Sequence, residues 1–142
     1  MLSIITETGL LKQPCFPVKG NERQLYKSII AEMKQFVLDN NGLGLAAPQV
    51  GIAKQFFVLL VSPGHVIPIF NPWYTKLTDE TIEFRELCFS CPGIEKVTHR
   101  PRSIKLFYND ALWNNKRKLF NDVLSVAIQH EVDHLEGKLI SD

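Results

Sequence analysis

At 142 residues the chain is long enough to bury one real core and too short for two domains. Hydrophobic residues make up 45% and charged residues 22%, an ordinary globular composition that excludes disorder. A net charge of +1, no basic tract longer than Lys116-Arg117-Lys118 and no apolar run of spanning length exclude direct nucleic-acid binding and a membrane protein. That basic triplet reads as a solvated turn. Residues 1–9 carry Glu7 and have neither a basic start nor an apolar core, so no signal peptide is expected. Three cysteines, Cys15, Cys88 and Cys91, suit a reducing compartment better than a disulfide framework, which points to the cytosol.

In chain order, residues 10–18 are expected to run extended, because Pro14 and Pro17 fix φ and remove helix donors. A helix is predicted over 22–39. Leu25, Tyr26, Ile29, Ile30, Met33, Phe36 and Val37 recur at helical spacing, Asn21 is the candidate cap, and Asn40-Asn41-Gly42 tolerates positive φ at the end. Gly42-Leu43-Gly44-Leu45-Ala46-Ala47-Pro48-Gln49 follows, with small residues placed so that another backbone can come close. It is no phosphate loop, since no Lys-Ser/Thr follows and no strand precedes it. A tight packing turn is the plainer reading, but it leaves Gln49 without a task. Residues 55–61 are nearly all apolar and predict a central strand. Short strands are predicted over 66–70, 73–77 and 81–85, split by Asn71-Pro72 and Thr78-Asp79, and again over 94–98 and 103–108. Asn109-Asp110 and Asn114-Asn115 are turn signals, so 111–113 reads as one arm of a hairpin.

The last predicted helix carries Gln129-His130-Glu131-Val132-Asp133-His134-Leu135-Glu136-Gly137. Val123, Leu124, Val126, Ala127, Ile128, Val132 and Leu135 keep helical period, Asn121 or Asp122 can cap the start, and Gly137 stands at the stop. On a helix His130 and His134 share one face, so they can hold a first-row metal, and Glu131 is placed as a general base. The plain alternative is two histidines on a polar face beside solvated Glu131 and Asp133. Helix, many short strands, then helix predicts an α+β fold. Mainly antiparallel sheets would surround a central metal-binding helix, with one N-terminal helix beside them.

Catalytic sites of this type use three protein ligands and keep one position open. Only a short tail without histidine follows Gly137, so the third ligand is sought upstream. His65, beside a Pro-Gly turn, and His99, beside Arg100-Pro101, read as surface histidines. Glu86-Leu87-Cys88-Phe89-Ser90-Cys91-Pro92-Gly93 offers C-x-x-C instead. A redox pair needs a helix after the first cysteine, which Pro92-Gly93 opposes. A closed Cys-Cys-His-His zinc site stays open as an alternative, although it gives Glu131 and Gln49 no task.

The segments at 42–49, 86–90 and 129–137, in that order, resemble the three motifs of the peptide deformylase family. Leu10-Leu11-Lys12-Gln13-Pro14 and Phe70-Asn71-Pro72 are similar to its minor markers. The resemblance implies one catalytic domain over 1–142 that removes the N-formyl group from the initiator methionine of nascent peptides and releases formate. It also implies a monomer acting near the ribosome in the cytoplasm, or in a host cytosol or organelle if the chain is viral or organellar. One divalent metal is implied, Fe²⁺ natively with Zn²⁺, Ni²⁺ or Co²⁺ as substitutes, held by Cys88, His130 and His134. Glu131 then serves as general base, while the Gln49 amide and the Phe89 backbone N–H meet the oxyanion. Leu43, Val123, Val126 and Ala127 are implied to line a methionine pocket, with the peptide added as a strand along Leu43-Gly44. Arg100 is implied to pair with Glu86 behind the cysteine loop. The family usually has Gly and Leu where this chain has Leu87 and Phe89. Leu87 is therefore expected to crowd the strand edge, and Phe89 to narrow the cleft. Two other functions share the residues: an endopeptidase of the same helix motif, and a metal- or peptide-binding module without turnover.

Overall fold

The computed structural model describes residues 2–142; Met1, at the head of the segment read as lacking a signal peptide, lies outside them. Its helices are a single turn α1 (Thr8–Leu11), then α2 (Lys27–Asp39) and α3 (Asp122–Leu135). The strands are β1 (Gly44–Ala46), β2 (Phe56–Ser62), β3 (His65–Lys76), β4 (Thr81–Leu87), β5 (Glu95–Pro101), β6 (Ser103–Asn109) and β7 (Asn115–Asn121). Five form one antiparallel sheet in the order β1-β2-β3-β6-β7, and β4 pairs with β5 in a separate hairpin. This is the α+β arrangement that the element order predicts.

β2 is apolar without alternation because both faces of its sheet are covered. Phe57 and Leu59 pack against Ala127, Ile128, Val132 and Leu135 of α3, together with Ile69, Ile104 and Leu106. Phe56 and Val58 point the other way, to Ile30, Met33 and Val37 of α2. Burial of each such side chain stabilises the fold by about 1.5–3 kcal/mol. A third cluster joins Leu11, Cys88 and Cys91 to Leu139 and Ile140, so the C-terminal residues close over the cysteine loop. The metal helix is thus pressed onto a sheet on one side, and the hairpin is brought up beside it. Gly137 ends the helical segment at φ 76, and a Cβ there would come within 3.0 Å of the Lys12 carbonyl oxygen.

Several local expectations are corrected. Residues 10–18 do not start extended: Leu11 and Lys12 donate back to the carbonyls of Glu7 and Thr8 and bury Leu11, and only beyond Pro14 does the chain straighten to bridge Lys54 through Phe16. The helix expected from 22 opens as a tighter turn over Arg23–Tyr26, because Leu25 faces solvent and the buried stripe begins one turn later. Asn71-Pro72 does not split two strands. β3 runs through it as a bulge, with Asn71 at φ 50 and its side-chain amide bonded to both the N–H and the carbonyl of Val18 at 2.8 Å. Residues 111–113 form the turn, not an arm. The arm is β7, which contains Lys116, Arg117 and Lys118; only Phe120 is buried along it, so the edge strand shows no apolar alternation. Among the described residues no helix is long and apolar enough to cross a membrane.

Candidate metal centre

α3 presents His130 and His134 on one face, and β4 ends so that Cys88 meets them. Nε2 of His134 lies 3.1 Å from Nε2 of His130 and 3.2 Å from Cys88 Sγ. The three donor atoms fall within 4.8 Å of one another. Cys91 does not join them; its thiol lies 3.9 Å from Ser141 Oγ, which counts against the closed four-ligand site.

The donor set fits a cation. His130 Nδ1 donates to Glu86 Oε1 at 2.8 Å, so Nε2, which faces His134, is the ring nitrogen that a metal would take. Burial by itself would lower the pKa of His130, but its contacts with Cys88 and Glu86 outweigh that and lift it to about 10. His134 moves the opposite way, to about 3, through burial and then the charge of His130. A divalent ion would take a lone pair from each imidazole and from the cysteine sulfur, which removes the conflict between the two rings. His134 Nδ1, also buried, has no partner among the described residues.

Glu86 steadies this arrangement from behind. It is 2% exposed, accepts from Arg100 Nε and Nη2 at 2.5 and 2.9 Å, and accepts from Thr98 Oγ1 as well. Arg100 also donates to Asp133 Oδ2 at 2.9 Å. Burial alone would raise the Glu86 pKa, yet hydrogen bonds from His130, Arg100 and Thr98 hold it down to about 2. Glu131 contrasts with it. Its Oε1 is buried with no partner, and burial first, with Glu86 and Asp133 adding to it, pushes its pKa up to about 7. Gly44 makes this possible, because a Cβ there would lie 2.8 Å from Glu131 Oε2 and 3.0 Å from the Val58 carbonyl oxygen.

A cavity of about 510 Å³ opens over the cluster. Leu43, Gly44, Val126 and Ala127 line it, as do Leu87, Phe89, Gln49, His130 and Glu131. Val123 does not; it sits 42% exposed at the start of α3, one turn too early to face the cavity. Gln49 is buried, held by Oε1 accepting from Ala46 N–H at 2.9 Å and by Nε2 donating to Ser90 Oγ at 3.1 Å. The second Nε2 contact, to Cys88 Sγ, is long at 3.6 Å. Phe89 turns its ring edge-on to Phe36, at 4.9 Å between centroids, where Gly42 leaves room for it. The ring is thus partly withdrawn towards α2 while it still walls the cavity. Leu87 keeps a negative φ and is 70% exposed at the cavity rim. The side of β1 away from β2 and the side of β4 away from β5 are both unpaired, and both border the cavity.

Ser90 and Thr98 carry no sequence signal of a role, and Asp133, which reads from the sequence as a solvated charge, instead accepts from Arg100. Arg100 meets Glu86 as the resemblance implies, and Thr98, two residues before it on the same face of β5, joins them through the strand register.

A sequence model of the polypeptide deformylase family matches residues 3–142. The chain is 37% identical over 131 residues to the peptide deformylase of Fusobacterium nucleatum, which covers 92% of this chain and 75% of that protein. Among solved structures it is similar to a probable peptide deformylase from synechococcus phage S-SSM7, with a TM-score of 0.91, 31% identity and coverage of 100% of this chain and 99% of that one. It is also similar to the Met-Ala-Ser-bound class I type b peptide deformylase of Acinetobacter baumannii, with a TM-score of 0.88, 28% identity and coverage of 99% and 96%.

Proposed function

The chain belongs to the polypeptide deformylase family, metal-dependent hydrolases that remove the N-formyl group from nascent peptides, and from that premise we propose how its own residues divide the work. The observation that carries the proposal is the meeting of Cys88, His130 and His134 beside a buried, half-unpaired Glu131. Cys88, His130 and His134 would hold one divalent ion, with Fe²⁺ as the native choice and Zn²⁺, Ni²⁺ or Co²⁺ as substitutes, since one sulfur with two imidazoles suits borderline metals. A divalent ion there supplies Lewis acidity, which makes water nucleophilic near neutral pH.

Glu131, buried beside the cluster with Oε1 unpartnered among the described residues, takes a proton from water as the formyl carbon is attacked. It then returns that proton to the leaving amine. The developing oxyanion is met by the Phe89 backbone N–H and by Gln49 Nε2, which stands beside Cys88 Sγ at 3.6 Å. Each such donor lowers the barrier by on the order of 3 kcal/mol. Glu86, anchored by Arg100 and Thr98, fixes the ring of His130 and the tautomer it presents. The peptide lies as a strand between the free edge of β1, along Leu43-Gly44, and the rim at Leu87. Leu43, Val126 and Ala127 take the methionine side chain. The similar Acinetobacter baumannii protein is bound to Met-Ala-Ser, a peptide of the class proposed here as ligand. We further propose a monomer that meets nascent chains near the ribosome in the cytoplasm.

The test is formate release from formyl-Met-Ala-Ser by anaerobically purified protein, with metal analysis of the same sample. Formate release with about one iron per chain is the expected result. Cleavage of an internal peptide bond, or tight peptide binding with no product, contradicts it.

A further inference from the structure

Cys91 lines the cleft, and the hydrolysis gives it no task. It stands three residues after Cys88, in a turn closed by Cys91 N–H donating to the Cys88 carbonyl at 3.0 Å. A four-residue turn holds its end Cα atoms within about 7 Å. A disulfide needs a Cα separation of about 4.4–6.8 Å, so the two ranges overlap. Both cysteines belong to the same buried cluster, packed with Leu11, Leu139 and Ile140, and both border the open cavity. The Cys91 thiol makes a long 3.9 Å contact with Ser141 Oγ and also interacts with the Cys88 thiol. Cys15, half-buried beyond α1, is outside that cluster.

We propose that Cys88 and Cys91 form a reversible disulfide whenever the metal is lost, with Cys91 acting as the resolving thiol that rescues the ligand. The inference rests on the reading of Cys88 as a ligand. A cleft that admits a peptide also admits peroxide, and a ligand thiol without its metal is the first group peroxide meets there. The Cys88 sulfur attacks one peroxide oxygen, the O–O bond breaks, and Cys88 becomes a sulfenic acid with release of water. The Cys91 sulfur then attacks the Cys88 sulfur, the S–S bond forms, the S–O bond breaks, and a second water leaves with the Cys91 proton. Two thiols lose two electrons and one peroxide gains them. Without Cys91 the sulfenic acid goes on to sulfinic and sulfonic acids, which thiol reductants do not reverse. With it, a dithiol restores both side chains and the three-ligand set.

Wild-type and Cys91→Ser proteins, each stripped of metal and each loaded with zinc, are treated with hydrogen peroxide and followed by intact mass and by peptide mapping after alkylation. Metal-free wild type is expected to lose two hydrogens, to show Cys88 and Cys91 protected and Cys15 alkylated, and to bind zinc again after reduction. Metal-free Cys91→Ser is expected to gain two or three oxygens at Cys88 and to stay unable to bind zinc. Zinc-loaded wild type should be oxidised at least tenfold more slowly. Gain of oxygens at Cys88 in wild type, or thiols that stay free, overturns the disulfide. Cys88→Ser that still holds its zinc overturns the ligand reading, and with it the protective role.

Discussion

The cleft has two walls, and each carries one buried carboxylate. On the β4–β5 wall Glu86 has a cation or hydroxyl at both oxygens and is held to about 2. On the β1–α3 wall Glu131 is equally buried, keeps Oε1 without a partner and is lifted to about 7. The same functional group is thus a fixed charge on one side and a proton carrier on the other, because one wall supplies donors from Arg100 and Thr98 whereas Glu131 is buried against the charges of Glu86 and Asp133 with Oε1 unpartnered among the described residues. Burial alone does not decide a carboxylate's role. The donors that come with it do.

Glu131→Gln should show the largest effect. It removes the carrier and no ligand, so turnover should fall about 10³-fold, roughly 4 kcal/mol at the barrier, with metal content unchanged. Steady-state formate release with metal analysis checks it, and near-normal turnover would erase the contrast between the walls. Glu86→Gln should act through the metal instead. It loosens His130 and leaves Arg100 paired with Asp133 alone, so metal affinity should drop about 10–100-fold while turnover at saturating metal falls far less. Competition with a chelator reads the affinity; a turnover loss as deep as that of Glu131→Gln, at full metal occupancy, would assign Glu86 to the chemistry. Gly44→Ala sharpens the comparison from the other side. The added Cβ would displace the Glu131 carboxylate, and turnover should fall about tenfold with metal retained. Unchanged turnover would show that the close approach is without consequence.

The smallest effect is expected at the rim. Leu87→Gly with Phe89→Leu should change KM about three- to tenfold across formyl-Met-X peptides and change kcat less, because both side chains border the cavity while the Phe89 N–H is untouched. A hundredfold rise in kcat at constant KM would mean that Leu87 distorts the cysteine loop.

What could be read from the sequence follows the same division. His130, Glu131 and His134 lie on one helix, so their spacing alone places them on adjoining faces, and the apolar run of β2 announces a strand covered on both sides. Thr98 joins Glu86 and Arg100 only through the register of two strands. Spacing in C-x-x-C could not choose between Cys88 and Cys91; the choice depends on the turn at 88–91 and on where the C-terminal residues pack. β7 was invisible because an edge strand rich in lysine carries no alternation, and the bulge at Asn71 was misread because its cause, the Val18 backbone, lies far away in the chain. Local period survives in the sequence, whereas partners brought by the tertiary fold do not.

The most direct test of the account is X-ray absorption at the metal edge of zinc- or cobalt-loaded protein. One sulfur at about 2.3 Å and two imidazole nitrogens at about 2.0–2.1 Å are expected, with the remaining position filled by an oxygen. Two sulfurs and two nitrogens in a closed shell would contradict it, because Cys91 would then be a ligand and the site would have no place for water.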